Sequence, residues 1–150
     1  MVDIKPNSKA EENLRAVGLR PTRQRLALAS LLFGQGNQHV TAESLYDGAQ
    51  ASGIKVSLAT VYNSLHKFTA AGLLRQVTID SSRSYFDTNI ADHHHFYFEN
   101  TGRIADIPSD WDGNRINVVA PADLPPGMEL SRVDIVVRLK SAEQIRIILK

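Results

Sequence analysis

Between Ser8 and Gly72 the apolar residues recur at helical spacing in four separately capped runs, and from Leu73 onward the spacing changes to that of strands. Ser8 and Glu11 have capping-box spacing, Ala10, Leu14 and Val17 share one face, and Gly18 stops the first run. Pro21 and Thr22 open a second helix, with Leu26, Ala29, Leu32 and Phe33 at helical spacing, and Gly34 to Gln38 is a polar connector. Thr41 caps a third helix, carrying Ala42, Leu45 and Ala49 inward and ended by Ser52-Gly53. Ser57 caps a fourth that runs to Gly72. Leu73 to Ile79 and Ser84 to Thr88, joined by Asp80-Ser81-Ser82-Arg83, then make a two-stranded hairpin.

The fourth helix carries the most information. Leu58, Val61, Leu65 and Phe68 form its apolar stripe, while Thr60, Asn63 and Lys67 lie opposite, with Tyr62, Ser64 and His66 beside them. A helix, a short turn and a second helix with polar residues in its first turns is how a helix-turn-helix reads the major groove, and the hairpin serves as its wing. Arg20, Arg23 and Arg25 put positive charge around the first turn of the second helix, where the helix N-terminus already favours phosphate. A solvated surface explains those arginines equally well until the later segments are read. The DNA-facing set is therefore expected to be Arg20, Arg23, Arg25, Ser57, Thr60, Tyr62, Asn63, Lys67 and Arg83, with Arg75 and His66 as further contacts.

Composition narrows the classes. No apolar run approaches the roughly 20 residues that cross a bilayer, and Met1 to Ser8 carry charges and Pro6, so a cytoplasmic chain without a membrane partner is expected. There is no cysteine, which excludes disulfides, thiolate zinc sites and cysteine-ligated haem. Up to Asn89 there are ten Lys and Arg against seven Asp and Glu, a balance of +3; beyond it there are seven against nine, −2. A basic first half and a mildly acidic second half suit a nucleic-acid reader joined to another module, though ordinary surface variation explains so small a difference as well.

Three of the five histidines form the single run His93-His94-His95, just beyond the hairpin. With Asp92 before it and Phe96-Tyr97-Phe98 after it, the run reads as a loop entering a strand, with His93 and His95 pointing one way and His94 the other. Two imidazoles on one side make a chelating pair, and imidazole is also an axial donor to haem iron. Phe96, Tyr97 and Phe98 would supply an apolar wall for haem, and they read equally as strand core. Past Pro108, Trp111 and Ile116 to Val119 are expected to pack in the second half. Leu130 to Leu139 alternates as a half-buried strand, and Ser141 or Gln144 caps a closing helix with Ile145, Ile148 and Leu149.

Leu19-Arg20-Pro21-Thr22-Arg23-Gln24-Arg25, His39-Val40-Thr41-Ala42-Glu43-Ser44-Leu45-Tyr46, Leu58-Ala59-Thr60-Val61-Tyr62 and the His93-His94-His95 run followed by a hairpin resemble the ferric uptake regulator superfamily over roughly residues 10 to 107. The resemblance implies an α+β chain: an N-terminal winged helix-turn-helix DNA-binding domain over residues 1–89 and a small α/β dimerisation and sensing domain over 90–150. It implies a homodimer or higher homo-oligomer on double-stranded operator DNA. It also implies that His39, Asp87, His93, His95 and Asp106 hold a sensed metal, for which Fe(II), Mn(II) or Zn(II) are all suited.

The departures are as informative. The Cys-x-x-Cys that usually follows the histidines is replaced at Phe98 and Thr101, and Asn63 stands where an arginine is usual. Pro108, Gly113, Pro121 and Pro125-Pro126 interrupt a region that is helical in relatives. With Val133-Asp134-Ile135-Val136-Val137-Arg138, these features are similar to the iron response regulator branch of alphaproteobacteria, in which haem weakens the hold on DNA. That branch would place haem on His93, His94 or His95. Three functions thus compete: a haem-responsive regulator of iron homeostasis, the same architecture gated by a divalent metal, and a metal hydrolase using the histidines and Asp87. The hydrolase lacks a spaced nucleophile or carboxylate pair.

Overall fold

The structure, a computed structural model, describes residues 8–110 and 124–142. It divides into two compact units, Met1–Ala91 and Asp92–Lys150. The junction lies after Ala91 rather than after Asn89, and hydrogen bonds explain the difference. The Asn89 side chain accepts from the Ala91 N–H at 3.1 Å, and Arg75 Nη1 donates to the Ala91 carbonyl at 3.1 Å. These bonds tie the segment to the first unit.

The first unit runs α1 (Ser8–Ala16), α2 (Arg23–Leu32), β1 (His39–Val40), α3 (Ala42–Ala51), α4 (Leu58–Ala70), β2 (Arg75–Asp80) and β3 (Arg83–Asp87). Each of the later helices begins where a side chain replaces a missing backbone acceptor. Thr22 Oγ1 accepts from Arg25 N–H, Thr41 and Ser44 form a reciprocal capping box, and Ser57 Oγ accepts from Thr60 N–H. Thr22 is thus the cap of α2 and Arg23 its first residue. The helices end at left-handed glycines: at Gly72, φ +85°, the Leu73 N–H reaches back to the Phe68 carbonyl at 2.9 Å. Gly53, φ +73°, does the same for α3 through Ile54 and Ala49. A residue with a Cβ is strained at both positions.

The core of this unit is a single apolar cluster that includes Leu14, Leu28, Leu32, Leu45, Val61, Leu65, Phe68, Leu74 and Phe86. The stripe on α4 starts one turn later than expected. Leu58 is 37% exposed at the first helical position, and Ser64, expected beside the polar face, is buried between Val61 and Leu65. The hairpin gains a strand at residues that the sequence reading assigned to no element, just after the Gly34 to Gln38 connector. His39–Val40 pairs antiparallel with β3, giving the order β1-β3-β2 with His39 opposite Asp87. The turn is closed by Asp80, whose Oδ1 accepts from both the Ser82 N–H at 2.9 Å and the Ser82 hydroxyl at 2.8 Å.

In the second unit, β4 (His95–Phe98) is central, antiparallel to β5 (Arg103–Asp106) and parallel to β6 (Val136–Leu139). The last strand is four residues long rather than ten, and Val133 is exposed. Along β4, His95 and Tyr97 are buried while Phe96 and Phe98 lie on the other face, their ring centroids 6.5 Å apart. The expected wall of three aromatics is therefore split between two faces by the two-residue period of the strand. Phe98 and Thr101 flank the β4–β5 turn, in which Gly102 N–H donates to the Phe98 carbonyl at 2.8 Å. Trp111, Ile116 to Val119 and Gln144 to Leu149 lie outside the described residues. None of the described helices is long and apolar enough to cross a membrane.

Phe68→Ala removes a fully buried ring from the first unit's core and is expected to cost about 3–5 kcal/mol of stability. Leu58→Ala, at an exposed position, is expected to stay within about 0.5 kcal/mol. Urea denaturation followed by far-ultraviolet circular dichroism measures both.

Candidate functional site

Burying Val61, Leu65 and Phe68 on one side of α4 leaves Tyr62, Asn63, His66 and Lys67 exposed on the other. Thr60, in the first turn, shares a 2.9 Å contact between its hydroxyl and that of Ser57. The Tyr62 hydroxyl donates to Glu43 Oε1 at 2.6 Å, linking the exposed face of α4 to the first turn of α3. That bond holds the Glu43 carboxyl below its ordinary range and pushes the Tyr62 phenol above its own. The Tyr62 ring stacks on His66 at a centroid distance of 6.5 Å, and His66 meets the Phe86 ring edge-on at 5.8 Å. Glu43, Tyr62, His66, Gln76, Arg83 and Phe86 help line an open cleft of about 380 Å³ between this face and the hairpin. Glu43 was not among the residues singled out from sequence. A first-turn acid looks like a helix-end charge until the tertiary fold brings Tyr62 to it.

The arginines divide. Arg23 and Arg83 are exposed, Arg20 is exposed with its carbonyl accepting from Arg25 Nη1 at 3.0 Å, and Arg25 is half-buried by that contact. Arg75, expected at phosphate, is only 4% exposed and donates to the Ala91 carbonyl, so it serves the fold instead. Its place in the sheet decides this, because it pairs in register with the buried Asp87.

Apart from His66, the histidines fall into two groups, one in each unit. In the first unit, strand register sets His39 opposite Asp87, with His39 Nε2 3.1 Å from Asp87 Oδ2. Asp87 is fully buried, and its other oxygen accepts from the Asn89 N–H at 2.8 Å. In the second unit, register sets His95 opposite Asp106. His93 Nε2 and His95 Nε2 lie 3.1 Å and 3.3 Å from the same oxygen, Asp106 Oδ1, and their ring centroids are 4.5 Å apart. His93 and His95 thus share a side, as the alternation predicts. His94 stands apart: its carbonyl accepts from the Ile107 N–H, and its Nδ1 is buried without a hydrogen-bond partner among the described residues.

The donors of the second group, His93, His95 and Asp106, fit a divalent first-row metal, and His39 with Asp87 offers two more of the same kind. Neutral imidazole nitrogens and a carboxylate oxygen are the borderline donors such ions take, and the triad offers three of them within 4.8 Å of one another. The same atoms also satisfy one another as hydrogen-bonded pairs.

Residues 16–120 match the Ferric uptake regulator family, and the chain belongs to that family. It is 37% identical over 99 residues to the peroxide operon regulator of Bacillus subtilis, covering 66% of this chain and 68% of that protein. It is 35% identical over 95 residues to the peroxide-responsive repressor PerR of Staphylococcus aureus, covering 63% and 64%. The matched stretch thus spans about two thirds of these relatives' lengths. Among solved structures it is similar to the ferric uptake regulator of Pseudomonas aeruginosa with manganese, with a TM-score of 0.67, 26% identity, and coverage of 89% of this chain and 98% of that one. The Vibrio cholerae ferric uptake regulator gives a TM-score of 0.67 at 25% identity, covering 87% and 98%. These matches establish the family without assigning the chain to the iron response regulator branch.

The Glu43 bond gives a spectroscopic signature. In a pH titration of tyrosinate absorbance, Glu43→Ala is expected to lower the ionisation range of one of the four tyrosines, because Tyr62 no longer ionises beside a carboxylate. An unchanged titration counts against the contact.

Proposed function

We propose that this chain is a DNA-binding transcription regulator that acts as a homodimer and is gated by a divalent metal. The observation that carries the reading is the pair of imidazole–carboxylate groups built by strand register in a chain without cysteine. Within the second unit His93, His95 and Asp106 are the metal-responsive donors, and within the first His39 and Asp87 are a further responsive pair. The likeness to the manganese-containing Pseudomonas aeruginosa regulator supports this, as does membership of a family of regulators, which also argues against the hydrolase. Tyr62, Asn63 and Thr60 face the groove, with Arg20, Arg23, Arg25, Lys67 and Arg83 toward phosphate and Ser57 presenting the helix end. Two recognition helices in a dimer would read half-sites about 34 Å apart.

Haem is the second reading, with His93, His94 and His95 as its donors. It rests on His94, whose buried Nδ1 has no hydrogen-bond partner among the described residues and whose imidazole would serve as a donor to haem iron. The split of Phe96 and Phe98 from Tyr97 weakens the apolar wall that this reading needs.

Fluorescence anisotropy on duplex DNA, with Mn(II), Fe(II) or Zn(II) added or chelated, separates the two. Metal is expected to tighten binding at least tenfold, a coupling of about 1.4 kcal/mol, and His39→Ala and His95→Ala are each expected to remove most of that gain. Binding that ignores metal but is released by haem, with a Soret band lost on His94→Ala, replaces the first reading with the second.

The DNA face is checked separately. Lys67→Ala is expected to weaken binding to all sequences alike and to reduce the salt slope by about one. Asn63→Ala is expected to cost about 1–3 kcal/mol on the cognate site alone. Light scattering is expected to give the mass of two chains.

A further inference from the structure

A tyrosine hydroxyl has one hydrogen and two acceptor lone pairs. In Tyr62 that hydrogen is already given to Glu43 Oε1, in a bond of 2.6 Å between two exposed side chains. The arrangement is held from both ends. Glu43 sits in the first turn of α3, where the helix N-terminus favours negative charge, and the Tyr62 ring is steadied by stacking on His66 one turn further along α4. The carboxylate itself has only lone pairs to offer. Together the two side chains form a patch that accepts hydrogen bonds and donates none.

The major groove presents both polarities. Adenine N6 and cytosine N4 are donors, whereas guanine N7 and O6 and thymine O4 are acceptors. We infer that Glu43 is a specificity-determining residue, which commits the Tyr62 hydroxyl to accepting and so selects a base edge carrying an amino group at the position Tyr62 faces. This rests on the reading of α4 as the helix that enters the groove. The Tyr62 hydrogen bond, which holds the Glu43 carboxyl below its ordinary range, agrees with it.

A purely structural Glu43, serving only to stabilise the start of α3, would affect stability and overall affinity but not base preference. The test is therefore a selection. The chain with Mn(II) is used to enrich binders from a randomised duplex pool, and the enriched sequences are compared among wild type, Glu43→Ala, Tyr62→Phe and the double variant. Wild type is expected to show one position per half-site favouring adenine or cytosine on the contacted strand, by about tenfold over guanine or thymine. In Glu43→Ala the released hydroxyl donates, and the preference at that position shifts toward guanine or thymine. Tyr62→Phe flattens the position and leaves the others unchanged, and the double variant matches Tyr62→Phe, because Glu43 acts through the hydroxyl.

An unchanged preference in Glu43→Ala, in protein whose circular dichroism melt shows it folded, overturns the inference while the DNA-binding reading stands. A wild type that enriches no sequence overturns both.

Discussion

The arrangement of the first unit depends on how α4 is buried. With 3.6 residues per turn, a helix that sends Val61, Leu65 and Phe68 into a core must send Tyr62, Asn63, His66 and Lys67 away from it. The core they enter is shared with α1, α2 and α3 and with Leu74 and Phe86 of the hairpin region, so the exposed face is fixed in rotation by contacts on several sides. Even Ser64, polar by type, follows the geometry inward. The cleft beside that face inherits its shape from the same packing.

Strand register does for the histidines what helix rotation does for the polar face. Antiparallel pairing brings side chains directly opposite one another into contact. A fully buried carboxylate at Asp87 is costly to keep unless hydrogen bonds or opposite charge surround it, and His39 and Asn89 supply part of that surrounding. Asp106 is more open, yet a single one of its oxygens lies near two imidazole nitrogens. A metal ion at these donors would replace the contacts they now make with one another.

Much of this was legible in advance. Thr41, Ser57 and Gly72 mark helix ends because capping and left-handed turns are local chemistry, and their residue types are restricted accordingly. The alternation across His93-His94-His95 gave the shared side of His93 and His95 for the same local reason. The hairpin was legible as two strands but not as three, since His39–Val40 is too short to show any period and becomes a strand only by pairing with β3. Arg75 was misplaced at the surface, and the ten-residue final strand shortened to four.

By itself, the sequence determined the order of the four helices and the hairpin, the polar face of α4 and the donor types available, because each follows from spacing and residue chemistry within a few positions. Only the tertiary structure decided which of those groups meet. Glu43 finds Tyr62 across two helices, Asp87 meets His39 across a strand pair, and Asp106 meets His93 and His95 around a hairpin. These contacts join residues distant in the chain, and they are set by packing and register, which no local window of sequence contains.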